Sequence, residues 1–87
     1  QRQMCIRDRF NINDIYRDPY TKLFTCTCLL NTELDAKCVA GKYIGLIREL
    51  CGFTTELTHS GRTVILTSPV QADLVTAANT LNKILYR

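Results

Sequence analysis

The stretch AKCVAGKYIGLIRELCG, residues 36–52, constrains the fold of this chain more than any other. Ile44, Ile47 and Cys51 recur at three- and four-residue spacing, with Tyr43, Leu46 and Leu50 beside them. That is the period of a helix with a wide apolar face. Gly52 stands just past the last apolar residue, where a left-handed glycine commonly closes a helix. Ahead of this helix lie the small residues Val39-Ala40-Gly41, and ahead of them a short helical piece that ends near Cys38. The spacing therefore predicts helix, tight loop, helix, then strand. The loop is where backbone N–H groups would face a ligand, with Lys37 and Lys42 on either side.

The flanking segments supply the rest of the pattern. Leu23 to Leu30 alternates, with Phe24, Cys26, Cys28 and Leu30 on one face and Thr25 and Thr27 on the other, which predicts a strand. Thr32 can cap the first helix, and Asp35 three residues later approximates a capping box. Phe53 to Thr58 alternates again, His59-Ser60-Gly61 signals a hairpin turn, and Arg62 to Thr67 reads as the return strand, with Val64 and Leu66 on one face. Ser68-Pro69-Val70-Gln71 is a helix start: a cap, a proline suited to the first helical position and a residue that completes the capping box. Val70, Leu74, Ala77, Ala78, Leu81, Ile84 and Leu85 then follow at helical spacing, with Asp73 and the pair Lys83 and Arg87 placed to suit the helix dipole. The order is β-α-α-β-β-α. It predicts an α+β domain in which a three-stranded antiparallel sheet carries three helices on one face. Thr25, Thr54, Glu56, Thr63, Ile65 and Thr67 would then face solvent or a partner.

Length and composition narrow the function classes. A chain of 87 residues makes one small domain, and a hydrophobic fraction of 46% favours a folded chain over a disordered one. No apolar run approaches the roughly 18 residues of a membrane span, and no signal peptide is visible, so an intracellular protein, cytoplasmic or nuclear, is expected. The five cysteines are odd in number and sit mostly among apolar residues, which fits reduced core thiols and no metal or cofactor. An enzyme is not expected: His59 is the only histidine, it falls in a predicted turn, and no nucleophile–base spacing accompanies it.

The N-terminal string QRQMCIRDR resembles the translation of sequencing-adapter DNA that recurs at the ends of metagenomic protein sequences. On that expectation residues 1–9 are an artefactual leader, residues 10–22 a flexible leader, and residues 23–87 the domain, itself a fragment of something longer. The leader's three arginines and one aspartate supply +2 of the formal +3, and the remainder has eight basic against seven acidic residues. The basic balance is thus no argument for nucleic acid on its own.

Leu23 to Leu85 resembles a K-homology (KH) domain of type I. Gly41 is followed by Ile44, Ile47, Gly52 and Leu57 at the spacing of that family. GRTVILTSP, with Leu74, Ala77, Leu81 and Ile84 after it, is similar to the family's return strand and last helix. The chain departs from the family at its Gly-x-x-Gly loop, where Cys38-Val39-Ala40-Gly41 stands, and at the two positions before it, Ala36 and Lys37. The resemblance is to the degenerate KH-like repeats of multi-KH proteins. It implies weak binding of single-stranded RNA or DNA in a groove between the loop, the second helix and the strand after it. Cys38 and Gly41 would belong to the loop; Val39, Ala40 and Ile44 would form an apolar floor; Lys37, Lys42 and Arg62 would meet phosphates; and the backbone of Thr55, Glu56 and Leu57 would read base edges. Only about two or three phosphate contacts would form, so the salt dependence would be shallow. The alternative is a scaffold module with little or no nucleic-acid binding, packed against neighbouring KH domains or a protein partner.

Overall fold

The structure, a computed structural model, describes residues 9–85. A short 3-10 turn at Ile12–Asp14 leads into β1 (Tyr16–Arg17), β2 (Phe24–Leu29), α1 (Glu33–Cys51), β3 (Glu56–Ser60), β4 (Thr63–Ser68) and α2 (Gln71–Leu85). The four strands form one sheet in the order β1-β2-β4-β3, and every pairing is antiparallel. The α+β class holds. The expected three strands and three helices do not: among the described residues there are four strands and two α-helices.

The missing helix boundary is the main correction. Cys38 to Gly41 is not a loop but the middle of a single helix of 19 residues. Three local causes act together. Thr32 caps the helix, its hydroxyl accepting from the Asp35 N–H at 3.0 Å. Ala36, Ala40, Ile47 and Cys51 are all buried, and their spacing runs unbroken through the supposed loop. Gly41 alone is a feeble breaker, costing a helix about 1 kcal/mol relative to Ala, and Val39-Ala40 carry no turn chemistry. Gly52 ends the helix at the position the sequence predicts, but in an extended conformation of positive φ (φ +100°, ψ 159°) and not as a left-handed helical cap; its N–H donates to the Arg48 carbonyl at 2.9 Å.

Register fixes the two faces of the sheet. Cys26, Leu66 and Leu57 lie abreast, as do Cys28, Val64 and His59. The five apolar members of those rows are buried and pack against Ala36, Ala40 and Ile47 of α1 and Leu74, Ala77, Ala78 and Leu81 of α2. Both helices therefore cover the same face. The opposite face carries Thr25, Thr27, Thr58, Ile65 and Thr67. β3 begins three residues later than the alternation suggested. Gly52 to Thr55 is a turn in which the Thr55 N–H donates to the Gly52 carbonyl at 3.2 Å, and Phe53 is exposed. His59 and Ser60 join the strand, and Gly61-Arg62 makes the tight turn, with Gly61 at φ +59°.

Residues 10–22, expected to be a flexible leader, are part of the fold. Phe10 is buried in the core. Asn82 on α2 grips its backbone twice, accepting from the Phe10 N–H at 2.9 Å and donating to the Phe10 carbonyl at 2.8 Å. β1 then pairs with β2. The expected artefactual leader falls almost wholly outside the described residues, as do Cys5 and Arg87.

α2 follows its sequence signals closely, with one adjustment. Ser68 is the last residue of β4 and fully buried; its hydroxyl accepts from the Val70 N–H at 3.2 Å and from the Thr55 hydroxyl at 3.4 Å. The serine thus ties the helix entry to the α1–β3 turn.

Candidate functional site

α1 reverses through the Gly52–Thr55 turn and runs back alongside β3, the edge strand of the sheet. Between them lies an open groove of about 410 Å³, lined by Lys37, Ala40, Gly41, Ile44 and Arg48 of α1 and by Glu56, Leu57, Thr58 and His59 of β3. Lys37, Gly41, Ile44 and Arg48 fall at spacings of four, three and four, so one line of the helix supplies that wall. Ala40 and Gly41 leave the middle of the wall low. A Cβ placed on Gly41 would meet nothing within 4 Å.

β3 supplies the other wall, together with an unused row of backbone groups. Ser60 and Thr63 flank the two-residue turn and are paired. In an antiparallel ladder that begins this way, bonded and non-bonded pairs alternate. Ser60, Thr58 and Glu56 then turn their N–H and C=O groups toward β4. Leu57 and His59 turn theirs away from it, toward the groove. Sheet edges in soluble proteins are usually blunted by Lys, Pro or a bulge. ELTHS, the sequence of β3, has no Lys or Pro, and its one charged side chain, Glu56, is paired with Arg48.

The charges at the groove are few. Arg48 Nη2 meets Glu56 Oε1 at 2.6 Å, while Arg48 Nε is buried without a hydrogen-bond partner. Lys37 makes no ion pair among the described residues. Six of the residues expected at a ligand, Lys37, Ala40, Gly41, Ile44, Glu56 and Leu57, do come together here. The other five do not. Cys38 is exposed on another face of α1, and Val39 packs toward the core. Lys42 lies over the Tyr43 ring, 5.4 Å from its centre. Thr55 is buried, its hydroxyl turned to the Cys51 carbonyl at 3.5 Å. Arg62 folds back on the end of β2, donating from Nε to the Leu30 carbonyl at 3.0 Å.

No family model matches the chain, and no curated protein or solved structure matches it either. The helix–loop–helix that the KH-like pattern implied is replaced by α1. That replacement alters the chemistry available. A loop of this kind holds phosphates through unpaired N–H groups; inside a helix those groups are bonded to carbonyls four residues back.

Arg48, Thr58 and His59 are groove residues that the sequence reading missed. Arg48 was legible in principle, since it extends the line through Lys37, Gly41 and Ile44 once the helix is taken as unbroken. Thr58 and His59 were hidden by the displaced start of β3. Nothing here resembles a metal centre: among the described residues no three His, Cys, Asp or Glu side chains converge. The Cys26 and Cys51 thiols are poor nucleophiles. Burial, reinforced by the charge of Asp14, pushes the Cys26 thiol up to about 11, and burial followed by Asp73 raises that of Cys51.

Proposed function

We propose that the chain is a binding module, that its site is the α1–β3 groove, and that its ligand is a segment of polypeptide that adds to β3 as a further strand. One observation carries this reading: the register that turns the Leu57 and His59 backbone groups outward beside an open groove. Strand addition draws its affinity from main-chain hydrogen bonds and its specificity from pockets for alternate side chains. The groove offers both, and it offers little that a phosphate chain needs. Arg48 is already committed to Glu56, and Lys42 and Arg62 point elsewhere.

A second reading, single-stranded RNA or DNA in the same groove, has the gathering of those six expected residues in its favour. It would rest on Lys37 alone for phosphate contact, so its affinity would be low.

A selection with random peptides of about ten residues displayed on phage separates the two. The account predicts enrichment on the chain and loss of the enriched clones on His59→Pro. That proline removes one outward N–H from an edge strand while leaving the β4 ladder intact, so the variant should still melt cooperatively. A short labelled single-stranded RNA is titrated in parallel at about 50 mM salt, where phosphate contacts are strongest. No peptide enrichment, or clones retained equally by His59→Pro, would refute strand addition. Micromolar binding of the RNA with no peptide captured would move the assignment to nucleic acid.

A further inference from the structure

The two ends of the groove differ in charge. Because α1 runs antiparallel to β3, Arg48 stands against Glu56 at one end, and Lys37 comes to the His59 end. The first end is internally neutralised. Among the described residues the Lys37 ammonium at the second end has no carboxylate partner, and Glu56, at the far end, is the one acidic residue that lines the groove. Between the ends lies an apolar stretch of Ala40, Ile44 and Leu57, lowered at Gly41.

We infer that the groove selects an extended peptide with an acidic side chain against Lys37 and an apolar side chain two residues away over Ala40, Gly41 and Ile44. This rests on the strand-addition reading and adds the chemistry of the ligand. The spacing follows from geometry. Alternate residues of a strand point the same way and stand roughly 6.6 Å apart, and four residues of helix cover about 6 Å. A peptide residue placed over Gly41 therefore brings the residue two positions along into register with Lys37. Its acidic group would restore the charge balance that Glu56 gives Arg48 at the other end.

The test reads the sequences of the enriched clones and then uses one of them as a synthetic peptide. The clones should share an Asp or Glu two positions from a Leu, Ile, Val or Phe. Replacing that acidic residue with its amide should weaken binding by about 1.5-fold to fivefold, the range for a partly exposed charge pair. Lys37→Glu should weaken it at least as much, and a peptide carrying Lys at the acidic position should bind Lys37→Glu better than it binds the unaltered chain. Gly41→Leu fills the low part of the wall, and its Cβ meets nothing within 4 Å. It should abolish binding while leaving the melting temperature unchanged or raised. Enriched clones with no acidic position, or a Lys37→Glu chain that binds as tightly as the original, would overturn the acidic selection and leave strand addition standing. Unchanged binding to Gly41→Leu would place the peptide outside the groove and overturn both.

Discussion

Gly41→Ala distinguishes a continuous α1 from a helix–loop–helix by the sign of its effect. The positive-φ glycines among the described residues are Gly52 and Gly61, so Gly41 holds ordinary helical dihedrals. A Cβ added there contacts nothing within 4 Å, so no packing penalty offsets the gain. What remains is the propensity difference between glycine and alanine in a helix interior, about 1 kcal/mol, arising chiefly because glycine has more freedom to lose on folding. For a domain of this size 1 kcal/mol moves the melting temperature by roughly 4–8 °C. Thermal unfolding followed by far-UV circular dichroism should thus show Gly41→Ala melting higher than the parent chain. Gly45→Ala should act similarly, since its Cβ also meets open space. Gly52→Ala is the internal control: φ +100° disfavours any Cβ, and this variant should melt lower. In a tight loop Gly41 would take a conformation of the kind Gly52 has, and alanine there would destabilise. A fall in melting temperature for Gly41→Ala would therefore refute the continuous helix.

Other outcomes follow from particular contacts. Asn82→Ala strips the buried Phe10 backbone of both partners and should cost about 1–3 kcal/mol, while Phe10→Ala should cost about 3–5, both measured by urea unfolding. The Arg48–Glu56 pair, with both side chains more than a third exposed, should yield a coupling of only about 0.2–1 kcal/mol in a double-mutant cycle, shrinking as salt is added. Cys26 bears on alkaline stability. Its folded-state thiol titrates near 11 against an ordinary 9.0, so the folded chain holds the proton more tightly than the unfolded one. The resulting stability is fully present below pH 9 and is lost as pH rises through 11, about 1.4 kcal/mol per pH unit at the steepest. Cys26→Ala should flatten that part of a stability-against-pH curve.

How much of this was legible in the sequence depended on the distance over which each contact acts. Local chemistry was readable. Thr32 caps α1, Gly52 ends it, Ser68-Pro69 precedes α2, and the alternation of Val64 and Leu66 sets the inner face of β4. A glycine, its small neighbours and a family pattern all suggest a break in α1. The continuous burial line through Ala36, Ala40, Ile47 and Cys51 argued the other way, and in the folded chain tertiary burial outweighs the modest propensity cost of Gly41 and Gly45. The role of Phe10 was beyond local reasoning, because its partner Asn82 lies 72 residues away. The groove was half visible: its helix wall follows from spacing, whereas its strand wall depended on where β3 begins. That start is set by the turn in which Thr55 buries its hydroxyl against Ser68.

Amide hydrogen exchange read residue by residue by NMR tests the central claim most directly, because it examines the unbroken helix and the open edge together. The account predicts that the Gly41 and Lys42 amides, bonded to the Lys37 and Cys38 carbonyls, are protected to about the degree of Ile47, and that Leu57 and His59 exchange much faster than their neighbours Thr58 and Ser60. Fast exchange at Gly41 and Lys42, or equal protection along the whole of β3, would contradict it.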